Sequence, residues 1–420
     1  MNRSFSFDGT ASSELQFKIN QSIIFNYLRF NSPISRAKIS RDLKISAPAV
    51  SRVIEKLIRE NFVIETKKQE TRSGKRPTLL VLNKEKGLVL GVDLGREKIR
   101  MSLMDYGGNI VKKYLGPEIL DNSNIEKILV KEISRVFEDC KKNTLNFPSS
   151  PEIKSICIGL PANVDPVSGN IISASLYGSW KNINLKEIIS ANFNIDVFIE
   201  NNVNLAALGE KNFGKGRKLS NVVFLEISNG IKAGIIIDNL LLKGENGYAG
   251  EVGFSIINTE NIGFKAINKG FLEKYASVTS IRNTAVSEIK NGSKTLILEL
   301  AGNDINNINY SMVCEAAIRG DKLAKTIIDD VIKLLSVAII NLILIIDPKI
   351  IILGGYILNL PKNYELIVDP VKKNISKSIP FEIPEIELSE LGDDATIMGS
   401  CFIAIENLLT GKFPYKINNG

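Results

Sequence analysis

The pattern of apolar and polar positions changes rhythm partway along this chain. Between residues 15 and 30 the apolar positions Ile19, Ile23, Ile24, Tyr27 and Leu28 recur every three or four residues, the period of one helical face. In "NSPISRAKISRDLKIS", which follows, Ser35 is placed to cap a short helix through Leu43, with Ile39 and Leu43 on one face. Ser46 is placed to cap a third helix, "SAPAVSRVIEKLIRE", which tolerates Pro48 in its first turn and turns Val50, Ile54, Leu57 and Ile58 inward. The stretch "FVIETKKQETRSGKRPTLLVLN" then reads as two strands around a basic turn, Arg72-Ser73-Gly74-Lys75-Arg76-Pro77.

After a linker at residues 83–88 the rhythm becomes that of strands alternating with helices. "LVLGVDLGREKIRMSLMDYGGNIVKKYL" predicts three strands joined by tight turns, and residues 124–140 an amphipathic helix. "IKSICIGLP" and "IDVFIE" predict buried strands, "VVFLEIS" and "KAGIIID" a second hairpin, "KIIILGGYI" a late strand, and residues 395–409 a closing helix. A similar start repeated in two halves predicts two α/β lobes. The polar end of a strand followed by a helix, "IENNVNLAALGE", is where such a protein places reactive groups. Yet Asn201 and Asn202, the residues best placed there, are amides with no proton to take or give.

Composition narrows the chemistry. At 420 residues and 44% hydrophobic, the chain is long enough for two or three domains. It contains no uncharged apolar run of about 18 residues and no signal-peptide pattern, so no membrane partner is expected. The longest apolar stretch, residues 337–346, predicts a buried helix. Four widely spaced cysteines predict reduced thiols in the cytoplasm. The absence of histidine excludes Ser–His and Cys–His nucleophilic machinery and removes the commonest zinc ligand.

Charge changes the picture further. Residues 1–88 hold 17 basic and 8 acidic side chains, and the remainder 36 and 38, so the whole positive excess lies in the first fifth of the chain. Three short helices, a tight turn before the third and a basic hairpin describe a winged helix-turn-helix. Ala47, Ala49, Ser51 and Arg52 form the expected DNA-facing surface: small residues admit a major groove, and Arg52 reaches a guanine edge or a phosphate. Arg72, Lys75 and Arg76 in the wing are expected along phosphates or in an AT-rich minor groove.

Taken together, "GVDLGREKIRMSLMD", "GLPANVDPVSGNI", Trp180, "IENNVNLAALGE", "NGYAGEVGF", "GFLEKYAS", "IIDPKIIILGG" and "ATIMGS" resemble the ROK family, in this order and across nearly the whole chain. The resemblance implies an α/β fold: an N-terminal winged helix-turn-helix followed by a two-lobed, actin- and hexokinase-like (ribonuclease H-like) ROK domain. It implies a DNA-binding domain at 1–82, a linker at 83–88, a first lobe at 89–200 plus 395–412, and a second, sugar-binding-like and dimerising lobe at 201–394.

Departures from the family pattern bear on activity. The family's first phosphate loop reads Asp-x-Gly-Gly-Thr, where this chain has Asp93-Leu94-Gly95-Arg96-Glu97, and Lys232 replaces a glycine in the second loop, "NGIKAG". The aspartate that takes the sugar hydroxyl's proton in family kinases is here Asn202. The family's zinc-ligand positions are Phe254, Phe264, Ala266 and Phe271, which are expected to fill the volume by packing. No catalytic residue, metal or cofactor is therefore expected. Asn201, Asn202, Glu251 and Glu273 remain as candidate ligands for a sugar effector; the alternative for Asn201, Glu251 and Glu273 is that they hold loops by hydrogen bonds. The sequence thus predicts a cytoplasmic repressor of carbohydrate-utilisation genes, a homodimer or higher homo-oligomer on an inverted-repeat, AT-rich double-stranded operator. A sugar kinase with a fused DNA-binding domain, and a regulator whose body only dimerises or binds a protein partner, are the alternatives.

Overall fold

The computed structural model describes residues 13–66, 78–95, 98–118, 124–142, 151–165, 168, 170–173, 183–257, 262–263, 270–356, 362 and 364–410. The first elements are α1 (Ser13–Asn31), α2 (Arg36–Leu43), α3 (Ala47–Arg59), β1 (Val63–Thr66) and β2 (Leu79–Leu82). There follow β3 (Leu88–Leu94), β4 (Lys98–Asp105), β5 (Ile110–Glu118), α4 (Ile125–Lys141), β6 (Ile153–Leu160), β7 (Asn163–Val164), β8 (Ile171–Ser173), α5 (Leu185–Phe193), β9 (Asp196–Asn201) and α6 (Asn202–Phe213). The second half runs β10 (Val222–Ile227), β11 (Ile231–Ile237), β12 (Leu240–Leu241), α7 (Phe271–Ala276), α8 (Val278–Lys290), α9 (Leu296–Leu300) and α10 (Tyr310–Ile318). It closes with α11 (Lys322–Ile346), β13 (Ile350–Gly354), α12 (Asp369–Ser378), β14 (Glu385–Leu388) and α13 (Ala395–Thr410).

Two compact units emerge, one of residues 1–159, 184–199 and 400–420, the other of residues 160–183 and 200–399. In the first, Ile24, Phe25 and Leu28 of α1, Ile39 of α2, and Val50, Val53, Ile54 and Leu57 of α3 are fully buried. Its five-stranded sheet has the order β5-β4-β3-β6-β9, antiparallel from β5 to β3 and parallel from β3 to β6. Every residue of β3 is buried, as a central strand requires. The second unit repeats this arrangement as β12-β11-β10-β13-β14, with β10 antiparallel to β11 and parallel to β13. The expected pair of α/β lobes is what the chain builds.

Details of the helices differ from the sequence reading. Ser35 caps α2 by accepting from the Lys38 N–H, but Ser46 makes no side-chain cap to α3. The buried stripe of α3 contains Val53, while Ile58 is only half-buried, because α3 packs on α1, α2 and β1 together and its inward face is turned accordingly. Residues 337–346 form the end of α11 and are not all buried: Val337, Leu344 and Ile345 are exposed, Ile345 by 78%. Nine apolar residues in ten positions, broken only by Asn341, wrap right round a 3.6-residue helix, so some must face outward.

Candidate ligand site and DNA-reading surface

In the N-terminal module the turn between α2 and α3 is held by Lys44 in the left-handed region and by the Ser40 hydroxyl donating to the Ile45 carbonyl at 2.7 Å. Ala47 and Arg52 are exposed on α3, and Ala49 and Ser51 half-exposed. The Arg52 guanidinium lies 4.6 Å from the centre of the Phe17 ring of α1, and Lys56 Nζ lies 5.4 Å from the same ring. Phe17, Arg52, Glu55, Lys56 and Arg59 line one open cleft, with three cations against one carboxylate. The sequence reading named Arg52 but not Lys56 or Arg59, although their spacing of four and three residues places all three along one side of the helix. Strands β1 and β2 pair antiparallel from Val63↔Leu82 to Thr66↔Leu79, which is the stem of the expected wing. Arg72, Lys75 and Arg76 lie outside the described residues.

The second candidate site is built at the end of β9, within the second unit. Asn201 is the N-cap of α6. Its Oδ1 accepts from the Val203 and Asn204 N–H groups at 2.9 and 3.3 Å, and its Nδ2 donates to the Ala162 carbonyl at 2.9 Å. Glu200 supports it: one carboxylate oxygen accepts from the Asn201 N–H and from Asn204 Nδ2, both at 2.9 Å, and the other pairs with Lys243 at 2.5 Å. Asn202 opens α6, and its carbonyl accepts from the Thr396 hydroxyl at 3.3 Å.

The two carboxylates meet around β11. Glu251 Oε1 lies 2.6 Å from Lys232 Nζ, which also donates to Asn163 Oδ1 at 2.9 Å. Glu273 accepts from the Ile231 N–H at 2.8 Å and from the Gly270 N–H at 3.2 Å. Gly250, at φ +81°, presses the loop carrying Glu251 onto this strand, where a Cβ would stand 1.8 Å from the Ala233 oxygen. Asn201, Glu251 and Glu273 are thus joined through the Ala162–Asn163 and Ile231–Lys232 pairs into one arrangement. Sequence reasoning missed Asn163, and it read Lys232 only as a lost glycine. The array offers fixed carboxylate acceptors and amide groups that both donate and accept, a set suited to hydroxyl groups.

In the first unit Asp93, buried in β3, is paired with Arg100 Nη2 at 2.5 Å. These residues face each other in the β3–β4 register, a signal that was readable once the hairpin was recognised. Arg96 and Glu97 lie outside the described residues, as do Trp180, Phe264 and Ala266. Phe271 is half-buried. Phe254 is 47% exposed, so the expectation that it fills a core volume is corrected. Among the described residues no cluster of acidic or cysteine side chains could hold a metal. None of the four cysteines is in a disulfide, and all four are buried. Burial pushes the Cys140 and Cys314 thiols up to about 11 and Cys401 to about 12, which keeps them protonated and unreactive. No helix among the described residues is long and apolar enough to cross a membrane.

These features have close counterparts in known proteins. The chain is 30% identical over 403 residues to the xylose repressor of Caldicellulosiruptor bescii, an alignment that covers 94% of this chain and 97% of that one. It is 27% identical over 326 residues to the glucokinase of Thermotoga maritima, covering 76% of this chain and 98% of the glucokinase. Among solved structures, a ROK family transcriptional regulator described as a homologue of the E. coli MLC protein superposes with a TM-score of 0.78 at 26% identity, covering 94% of this chain and 98% of that one. The ROK family model matches residues 89–407. With the repeated five-stranded sheets and the strand-end Asn201 in place, this match over three-quarters of the sequence means that the chain belongs to the ROK family.

Proposed function

We infer that the chain is a cytoplasmic DNA-binding repressor of sugar-utilisation genes, with a ROK body that is not an enzyme and takes a sugar effector. The N-terminal module carries this reading. A helix-turn-helix with a hairpin stem holds the chain's entire positive excess, and the likeness to a xylose repressor extends through it, whereas the glucokinase match covers a smaller part of the chain. The proposed functional division runs 1–82 for DNA, 83–88 as linker, 89–200 with 395–412 as first lobe, and 201–394 as ligand-binding and dimerising lobe, although residues 160–183 and 395–399 group with the second compact unit. Selection of bound fragments from random duplex DNA by the purified full chain is expected to return an AT-rich inverted repeat. Recovery of no preferred sequence would overturn the reading.

Several residues oppose phosphoryl transfer together. Asn202 cannot serve as general base, Arg96 and Glu97 alter the phosphate loop, and Arg100 holds the carboxylate of Asp93. Loss of a general base alone removes ~10²–10⁴-fold of rate. No phosphate transfer from ATP to hexoses, pentoses or N-acetylhexosamines is therefore expected, and Asn202→Asp alone should not restore it. Turnover of about 1 s⁻¹, an ordinary enzyme rate, on any of these sugars would refute the assignment.

The effector is expected to sit among Asn201, Asn202, Glu251 and Glu273. A sugar that binds only the folded protein stabilises it by about 2.7 kcal/mol at a hundred times its Kd, which a melting curve resolves. Xylose is the first compound to test, given the repressor relative. Glu251→Gln should abolish the shift, because a neutral amide loses both the ion pair to Lys232 and the charged acceptor. A shift unchanged in the variant would place the ligand elsewhere.

A further inference from the structure

The N-terminal module continues beyond its own core into contact with the last turns of α13. Gln21 Nε2 donates to the Leu409 carbonyl at 2.8 Å, across 388 positions of sequence. Ser22 Oγ and Asn26 Nδ2, one helical turn apart, donate to the two oxygens of Glu406 at 2.6 and 2.8 Å. Gln21 and Glu406 are both buried. Burial raises the Glu406 carboxyl above its ordinary range, opposed by these donors and by Arg29. Burial likewise lowers Arg29, to about 10. Around this polar centre Arg29 lies over the rings of Phe25 and Phe402 at 5.5 and 5.9 Å, and Phe62 packs on Tyr106 at 5.2 Å between ring centres. A carboxylate withheld from water needs its donors in place, so such a contact has one register and resists sliding.

The contact reaches the DNA-reading helix. The same Gln21 side chain that donates to α13 accepts from Lys56 Nζ of α3 at 3.1 Å. We propose that Gln21, Ser22, Asn26 and Glu406 are positioning residues that lock α3 to the end of α13, so that the folded protein, and not a flexible tether, sets the separation of the operator half-sites it accepts. This rests on the DNA-binding reading above and adds to it. A reader on a loose tether follows a half-site that moves. A docked reader does not, and one added base pair displaces a half-site by about 3.4 Å and rotates it by about 34°.

The test uses the full chain and the operator it selects from random duplexes. Affinity is measured for that operator, for versions with the spacer changed by one and two base pairs, and for a single half-site. Simultaneous engagement of two sites is worth ~10²–10⁴-fold, so wild type should lose most of its advantage over the half-site when the spacer changes. In Glu406→Gln and in Ser22→Ala this spacer penalty should shrink at least about tenfold, bringing altered spacers back within reach, while half-site affinity stays the same. Ser22→Ala removes one donor and no charge, and so keeps the test decisive if Glu406→Gln does not fold. Wild type indifferent to spacing, or variants with the full wild-type penalty, would overturn the proposal. Failure to bind either operator or half-site would instead overturn the DNA-binding reading, and this inference with it.

Discussion

Arg52→Ala is expected to weaken operator binding by about 1–3 kcal/mol per half-site, the range measured for a good contact from arginine to a base edge. Across the two half-sites of an inverted repeat the loss is roughly twice that, or about 2–6 kcal/mol. In the free protein the guanidinium is held over Phe17, which limits its rotamers and offers it to DNA from the exposed side of α3. A side chain ordered before binding loses less entropy on contact. Phe17→Leu, which removes the ring face and keeps an apolar side chain, should therefore show a smaller loss of the same kind. Gel-shift titrations on operator and scrambled DNA separate the two effects that matter. Loss confined to the operator marks base reading, and equal loss on both marks phosphate contact. Unchanged operator affinity in Arg52→Ala would remove this residue from the interface.

Gly399→Ala should have the largest effect on stability. Where α13 crosses α6, a Cβ on Gly399 would stand 1.8 Å from the Leu205 carbonyl oxygen, and one on Gly209 would stand 2.2 Å from the Ala395 oxygen. Both obstacles are backbone, so neither can rotate aside. The helices must part, and overpacking of this kind costs about 3 kcal/mol or more. Gly292→Ala is the comparison: at φ +94° with open space around it, only backbone strain is added, about 1 kcal/mol. Thermal melts of the two variants should differ by several degrees, roughly 2–4 °C per kcal/mol for a unit of this size. Equal melting temperatures would show that the helix crossing has room the geometry does not suggest.

What was legible in the sequence was local or periodic. The three helices, the hairpin stem, the Ser35 cap and the repeated strands follow from apolar spacing and turn residues, because each side chain there answers to neighbours a few positions away. The candidate site was legible as positions but not as partners. Asn201, Glu251 and Glu273 could be named from motifs, but no periodicity shows that Lys232 would bridge Glu251 to Asn163, or that Arg100 would hold Asp93. Polar pairing depends on where distant segments arrive, and a single sequence carries no record of that. The exposure of Phe254 was misread for the same reason. Its chemistry suggested packing, whereas its burial is decided by the elements around it.

The contact between α1 and α13 also bears on protein engineering. DNA-binding modules invite exchange between repressors, and the sequence suggests a cut at residue 82. A chimaera made there would carry Ser22 and Asn26 onto a foreign closing helix without the Glu406 carboxylate they are matched to, and would take Gln21 away from the Leu409 carbonyl. A buried donor without an acceptor costs about 1–3 kcal/mol, and of these three Gln21 is buried while Ser22 and Asn26 are half-buried. A functional graft of this reading head should therefore include residues 400–410, from the opposite end of the chain, as part of the same transplant.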